Sequence, residues 1–136
     1  MRIMAFDYGT KRIGIAVTDP LQLIATALTT IHPKDTMAYL SQYLRSEPVE
    51  RFIIGMPKQL DGTDSQSAVH VRDFIRQLSK QFPEIPIETM DERFTSKMAS
   101  ASIAQSGLKK SKRQEKGLVD SIAAVIILQD YMRMAH

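Results

Sequence analysis

Four acidic residues occupy positions where a sheet-based catalytic site can form. Asp7 comes directly after the apolar run Ile3 to Phe6, and Asp91 and Glu92 come directly after the fifth predicted strand. Asp120 lies in an apolar helical segment, where a carboxylate is costly unless it is paired or binds a cation. Converging carboxylates without histidine or cysteine partners favour hard cations, so we expect Mg²⁺ or Mn²⁺. Two such ions about 3.5–4 Å apart can activate a water and stabilise the leaving oxygen of a phosphodiester.

Each of these carboxylates also has a purely structural interpretation. Asp7, close to Gly9, suits the turn of a hairpin. Asp120 suits the N-terminal part of a helix, where the helix dipole stabilises an acid. Glu92 suits a surface ion pair with Arg93, which is common and weak. Taken one residue at a time, the sequence leaves these alternatives open.

The positive charge of the chain is concentrated in one short segment. The formal net charge is +3, and residues 109–116 hold five basic residues and one acidic residue, which leaves the remainder slightly acidic. A basic segment directly before Asp120 is typical of an electrostatic footprint for nucleic acid, and it would hold phosphates over the cations. A solvated, lysine-rich loop that serves solubility is the alternative.

Length and composition indicate a single domain spanning residues 1–136. The chain has 136 residues, of which 43% are apolar, and this is enough for an ordinary core. It has no cysteine, which excludes disulfides and thiolate metal sites. The longest apolar run, Ile122 to Leu128, is too short to cross a bilayer. We therefore expect a soluble, cytoplasmic protein with no membrane association. His32 and His70 are isolated in the sequence, and we assign them no role.

The strand pattern predicts a mixed sheet. Apolar and β-branched runs over residues 3–6, 13–17 and 23–31, joined by short links, predict an antiparallel meander. Later runs over residues 51–56 and 85–89 alternate with helices, which predicts parallel strands added by right-handed crossovers. The expected fold class is α/β, with a five-stranded mixed sheet of three antiparallel strands plus two parallel strands, and helices on both faces.

Four helices are predicted from apolar stripes and end signals. The first begins at Asp35 or Thr36, and the second follows a cap at Asp64 or Ser65. Their apolar stripes are formed by Met37, Leu40, Tyr43 and Leu44 in the first, and by Val71, Ile75, Leu78 and Phe82 in the second. The third begins at Thr95 and ends at Gly107, and the last covers residues 118–132.

Small residues surround Asp120 on the surface of the last predicted helix. Gly117 lies three residues before it, and Ala123 and Ala124 lie three and four residues after it. Such a patch would let the helix approach the sheet closely. We expect this approach to present Asp120 to the ends of the strands.

Four segments of the chain resemble the motifs of the YqgF (RuvX) family, occur in that family's order and together cover nearly the whole chain. They are Asp7-Tyr8-Gly9-Thr10-Lys11-Arg12-Ile13-Gly14-Ile15-Ala16, Gly55-Met56-Pro57 with Asp61-Gly62-Thr63, Asp91-Glu92-Arg93-Phe94-Thr95-Ser96, and Val119-Asp120-Ser121-Ile122-Ala123-Ala124. The resemblance implies a ribonuclease H-like fold. It also implies a metal-dependent nuclease with Asp7, Glu92 and Asp120 as catalytic metal ligands and Asp91 as an additional candidate.

The family resemblance implies two substrates, and the sequence does not choose between them. Family members were first likened to Holliday junction resolvases of the RuvC type, and they are now usually described as processing the 5′ end of the 16S ribosomal RNA precursor. The expected partner is therefore structured RNA or branched DNA, with ribosomal precursor particles as a further partner. Trimming one RNA end needs only a monomer, which we favour, whereas a four-way junction suits a symmetric dimer. The basic residues expected to hold backbone phosphates are Lys11, Arg12, Arg93, Lys109, Lys110, Lys112 and Arg113.

Two interpretations from other classes remain. The Asp7 hairpin also resembles the phosphate-binding turn of the actin and sugar-kinase superfamily, which would make the protein a nucleotide-binding module. That superfamily closes two domains around ATP, and one domain of this length does not build such a cleft. Alternatively, the protein is a non-catalytic accessory factor that uses the basic segment to bind nucleic acid and does not use the acids.

Overall fold

The structure is a computed structural model that describes residues 1–9, 11–56, 68–91 and 116–135, with side chains described up to residue 90 in the last strand and for residues 122–133 in the last helix. The elements in chain order are β1 (Arg2–Asp7), β2 (Ile13–Thr18), β3 (Ala25–Ile31), a short 3₁₀ helix (Pro33–Asp35), α1 (Thr36–Ser46), β4 (Val49–Met56), α2 (Ala68–Gln81), β5 (Ile87–Asp91) and α3 (Lys116–Ala135). The predicted helix from Thr95 to Gly107 and the predicted turn at Asp61-Gly62 lie outside the described residues.

The five strands form one mixed sheet in the order β3-β2-β1-β4-β5. β1 pairs antiparallel with β2, and β2 pairs antiparallel with β3, which confirms the predicted meander. β4 runs parallel to β1, and β5 runs parallel to β4. The predicted combination of three antiparallel and two parallel strands is therefore confirmed, and β1 lies at the centre of the sheet.

β1 is covered on both faces, as its apolar residues at successive positions predict. Met4 and Phe6 belong to a buried cluster with residues of α1 and α2. Ile3 and Ala5 belong to a second cluster with residues of α3. Because side chains alternate along a strand, these two clusters lie on opposite faces of the sheet. Helices therefore cover both faces, which confirms the predicted α/β fold class.

α1 begins at Thr36, as predicted, and α3 extends two residues before and three residues beyond the predicted range, whereas the predicted cap of α2 at Asp64 or Ser65 lies outside the described residues. In α1, Leu40 is buried as predicted, and Asp35 occupies the N-cap position without making a side-chain hydrogen bond there. In α2, Phe74 is buried whereas Ile75 is only half-buried, and Phe82 lies beyond the end of the helix. Phe74 is drawn into the core because its ring packs on Phe6 with a centroid distance of 5.5 Å.

β3 begins at Ala25, two residues later than predicted, because Asp19 organises the preceding loop. The Asp19 carboxylate accepts backbone N–H bonds from Leu21, Leu23 and Ile24 at 3.2, 2.7 and 2.8 Å. These bonds satisfy backbone donors that a strand would have paired in the sheet, and side chains of Asp commonly compete with the sheet in this way. They also hold the pKa of Asp19 below its ordinary value, with the bond from Ile24 as the largest cause. None of the helices in the described part of the chain is long and apolar enough to span a membrane.

We expect the four tyrosines to make the folded state sensitive to alkali. Burial raises the pKa of Tyr8, Tyr39, Tyr43 and Tyr131 above the ordinary value of 10.0, and this is the largest cause for each. A pKa raised by folding contributes stability that is complete below the unfolded pKa and is lost as pH rises through the folded pKa. The free energy of unfolding should therefore fall as the pH rises beyond about 10. Urea unfolding at a series of alkaline pH values, with tyrosinate absorbance of the folded and unfolded protein, measures this. Tyrosines that ionise at the same pH in both states would contradict it.

Candidate active site

Asp7 is the last residue of β1, so the central strand carries a carboxylate to the edge of the sheet at which β1, β4 and β5 end. We call this the carboxyl edge. Alternation along the strand places Asp7 on the same face as Ile3 and Ala5, which pack against α3. Both of those residues are buried, whereas Asp7 is half-buried. The strand therefore fixes the Asp7 backbone in a rigid core while its side chain reaches the boundary of the domain.

The parallel strands bring the end of β5 to the same edge. Phe6 of β1 pairs with Ile54 of β4, and Met56 of β4 pairs with Asp91, the last residue of β5. Met90 packs in the cluster formed by α3 and the sheet, so it lies on the face that carries Asp7. Glu92 follows β5 directly in the sequence, and its position has the same parity as Met90. The side chain of Asp91 and the whole of Glu92 lie outside the described residues.

α3 runs antiparallel to β1 and brings its N-terminal end to the carboxyl edge. Near its C-terminal end, the Tyr131 hydroxyl accepts a hydrogen bond from Arg51, which is level with Ile3 of β1. The eleven residues from Asp120 to Tyr131 span about 16 Å of helix. The four residues from Ile3 to Asp7 span about 13 Å of strand. These similar lengths bring the first turns of α3, which include the backbone of Asp120, towards the carboxyl edge.

Of the three small residues predicted to let α3 approach the sheet, the structure places Ala124 in the contact with the sheet. Ala124 is fully buried in one cluster with Ala5 and Ala16 of the two central strands. Ala124 lies one helical turn after Asp120. Ala123 is also buried, although it packs with Ile122 and Ile126 rather than in the cluster that contains Ala124. The close contact at Ala124 therefore sets the distance between the sheet and the turn that carries Asp120.

The link between β1 and β2 places two basic residues beside the carboxyl edge. Lys11 is exposed and Arg12 is half-buried, and β2 begins at the next residue. The link requires glycine at Gly9, because a Cβ there would lie 2.6 Å from the Arg12 carbonyl oxygen. Because Asp7 pairs with Gly14, the positively charged Lys11 and Arg12 lie within a few residues of Asp7, the predicted metal ligand.

Most of the remaining predicted site residues lie outside the described part of the chain. Within the described ranges, no group of three or more His, Cys, Asp and Glu residues is arranged to hold a metal ion. Of the predicted ligands, only Asp7 has a described side chain, so the ligand set stays a prediction. The residues whose side chains are not described are Asp91, Glu92, Arg93, Lys109, Lys110, Lys112, Arg113 and Asp120.

A polar cavity beside the end of β1 was not predicted from the sequence. It has a volume of about 310 Å³, and its described lining includes Tyr8, Lys34 and His70. Burial, and to a lesser extent the charge of Asp73, raises the pKa of Tyr8 above its ordinary value. The one available signal was the spacing of the polar residues His70, Asp73 and Gln77, which fall on one face of α2.

A larger cavity of about 810 Å³ lies at the opposite edge of the sheet. It is formed by the loop before β3 and the C-terminal part of α3. Leu21, Leu23 and Ile24 in this loop are exposed, so the cavity is open and largely apolar. It is remote from Asp7, so cavity size does not identify the candidate active site.

Comparison with known proteins agrees with this architecture. The model of the RuvX family, described as "Holliday junction resolvase", matches residues 1–134. A relative from Christiangramia forsetii is 53% identical over 131 residues, covering 96% of this chain and 97% of the relative. A relative from Bacteroides thetaiotaomicron is 51% identical over 131 residues, covering 96% and 95%. Both carry the name "Putative pre-16S rRNA nuclease".

The similar solved structures show the same fold at low sequence identity. Thermus thermophilus RuvC matches with a TM-score of 0.56 at 16% identity, covering 99% of this chain and 97% of that chain. The complex of T. thermophilus RuvC with a Holliday junction substrate matches with a TM-score of 0.55 at 16% identity, covering 98% and 96%. The mixed sheet with helices on both faces is thus the ribonuclease H-like fold. With the family match over nearly its whole length and relatives at about half identity, the chain belongs to the RuvX family.

Proposed function

We propose that this protein is a metal-dependent nuclease that processes the 5′ end of the 16S ribosomal RNA precursor during ribosome biogenesis. The observation that carries the proposal is the position of Asp7 at the end of the central strand, at the edge of the sheet to which α3 brings its N-terminal end. The names of the curated relatives support the choice of substrate. Such a role implies a cytoplasmic location and binding to ribosomal precursor particles.

The predicted ligands are Asp7, Glu92 and Asp120, with Asp91 as an additional candidate. The donor set fits Mg²⁺ or Mn²⁺, because it offers carboxylate oxygens and no thiolate or imidazole. The half-buried Asp7 also fits, since its backbone is fixed by strand pairing while its side chain lies at the boundary of the domain. When bound, a pair of these cations would activate a water and stabilise the leaving oxygen. The chain supplies the positions of the ligands through β1, the segment after β5 and the first turns of α3.

The basic residues would hold the substrate backbone over this site. Lys11 and Arg12 lie in the link directly after Asp7. Phosphate contacts of this kind are largely independent of sequence and weaken as salt rises. The other proposed contacts are Arg93, Lys109, Lys110, Lys112 and Arg113.

Holliday junction resolution is the second candidate function. The description of the matching family model favours it. A four-way junction has two-fold symmetry, so this function would suit a dimer, whereas trimming of one RNA end needs only the monomer that we favour. The two candidates use the same carboxylates and differ in substrate and in oligomeric state.

A cleavage assay on two substrates separates these functions. A 5′-extended fragment of the 16S ribosomal RNA precursor and a synthetic four-way DNA junction are incubated with the protein and Mg²⁺ or Mn²⁺, and in parallel with a chelator. We expect cleavage of the RNA that requires the cation. Junction cleavage in symmetric pairs, without RNA cleavage, would instead support the resolvase. Binding without cleavage of either substrate would support a non-catalytic accessory factor.

A further inference from the structure

The polar cavity beside β1 lies next to the proposed metal site but on the other face of the sheet. We call it the Tyr8 cavity. Tyr8 follows Asp7 directly, and its ring packs on Phe74 of α2, whereas the Asp7 side of the strand faces α3. Consecutive Cα atoms are about 3.8 Å apart, so a substrate strand that crosses the end of β1 meets both sites. The described residues that line the Tyr8 cavity are Tyr8, Pro33, Lys34, His70, Asp73, Phe74 and Gln77.

The floor of the Tyr8 cavity is fixed by the hydrophobic core. Phe74 is only 4% exposed, and its ring contacts Phe6 and Tyr8 at centroid distances of 5.5 and 5.1 Å. Edge-on and offset ring contacts of this kind are favourable and directional. The Tyr8 ring is therefore held in place by a side chain that cannot move without disturbing the core. A preorganised aromatic wall of this kind suits binding of a planar group.

The other walls of the cavity carry charged side chains and uncharged hydrogen-bonding side chains. Lys34 is an exposed cation, and its backbone N–H donates to His32 Nδ1 at 3.1 Å, which fixes this part of the wall. His70 and Gln77 add polar side chains from α2. Asp73 brings a negative charge, which is offset by an ion pair with Arg76 at 3.1 Å. A cation, an aromatic face and mixed hydrogen-bonding groups match the chemistry of a nucleotide better than that of a metal ion.

We propose that the Tyr8 cavity binds one nucleotide of the substrate strand that flanks the scissile phosphate. This proposal rests on the nuclease function proposed above. The volume of about 310 Å³ lies at the lower end of the range for small-ligand sites and is too small for more than one nucleotide. Lys34 holds the phosphate, and His70 and Gln77 contact the base. The cavity thus fixes the register of the substrate strand relative to the metal site.

The test couples changes in the protein to changes in the RNA. A series of 5′-extended precursor fragments is prepared, each with one abasic nucleotide at a different position around the cleavage site. The equilibrium binding of each fragment to the Asp7→Asn variant is measured. The same series is measured with a variant that also carries His70→Ala and Gln77→Ala. A matched control carries Lys80→Ala and Gln81→Ala instead. All four of these α2 side chains are exposed, and Lys80 and Gln81 lie at the far end of the helix from Asp7.

We expect one abasic position to weaken binding about tenfold in Asp7→Asn and in the matched control, because a base contact is lost. In the His70→Ala/Gln77→Ala variant, the same abasic position should have little further effect, because the base has already lost its partners. If each abasic position weakened binding to the same extent in all three proteins, the cavity proposal would be overturned. If the wild-type protein still cleaves the RNA in that case, the nuclease function stands and only the cavity proposal fails. Absence of both cleavage and RNA binding would overturn both.

Discussion

Replacement of Asp7 by Asn is expected to lower the rate of cation-dependent cleavage by at least about a thousandfold. This corresponds to about 4 kcal/mol of lost transition-state stabilisation, at 1.36 kcal/mol for each factor of ten. The physical reason is that Asn has nearly the shape of Asp but lacks the negative charge that a hard divalent cation requires. Asp7 lies at the end of the central strand, which is paired with a neighbour on each side, so its backbone position is fixed by the sheet.

The same replacement is expected to leave the fold intact. Asp7 is half-buried, and its backbone remains paired with Gly14 whatever the side chain. We expect the free energy of unfolding to change by about 1 kcal/mol or less, and RNA binding without cleavage to persist. The matched control is Asp130→Asn, which makes the same chemical change near the C-terminal end of α3, where Asp130 forms an ion pair with Arg133. Full cleavage activity in Asp7→Asn would disprove its assignment as a metal ligand.

The central strand and the topology could be predicted because their signals are local. Burial on both faces of β1 requires apolar residues at successive positions, and Met4, Ala5 and Phe6 supply them. The short links between the first three strands allow only antiparallel neighbours, and the helix between β4 and β5 permits a parallel crossover. Asp7 followed from this pattern, because a polar residue at the end of a buried run marks the end of the sheet.

The start of β3 could not be predicted from strand propensity. Leu23 and Ile24 have the residue types of a strand, and they are nevertheless held in a loop by hydrogen bonds to the Asp19 carboxylate. A single side chain that satisfies several backbone donors outweighs the modest propensity of two residues. Propensity is summed over a window, whereas this effect depends on one residue several positions earlier.

The Tyr8 cavity could not be predicted because its walls are distant in sequence. Tyr8 follows β1, Lys34 lies in the 3₁₀ helix and His70 lies in α2, and only the order of the strands brings these three segments together. In the sequence His70 is isolated, and nothing near it indicates a role. The polar spacing along α2 predicts an exposed helix face, but it does not indicate which neighbour that face meets. The burial of Ala124 against the sheet, by contrast, could be predicted from the run of small residues in the last helix.

The contact at Ala124 provides a second prediction, which concerns the placement of α3. Ala124→Leu adds three carbon atoms where Ala124 is fully buried against Ala5 and Ala16. Overpacking of this kind costs about 1–3 kcal/mol of stability, because the helix must move away from the sheet. A displacement of about 1 Å at the turn that carries Asp120 should lower cleavage about a hundredfold. The expected result is therefore a protein that is folded but nearly inactive.

Thermal unfolding and cleavage rates separate these two effects of Ala124→Leu. The cleavage rate is measured at a temperature at which the melting curve shows the variant to be fully folded, so that lost activity reflects displacement rather than unfolding. Gln129→Leu is the matched control, because it also introduces leucine into α3, at an exposed position. We expect this control to cleave at the wild-type rate, since the side chain at position 129 is exposed and Asp120 is more than two helical turns away. Wild-type activity in a folded but destabilised Ala124→Leu would show that the distance between α3 and the sheet does not position Asp120. That result would remove the geometric support for Asp120 as a ligand while leaving the assignment of Asp7 intact.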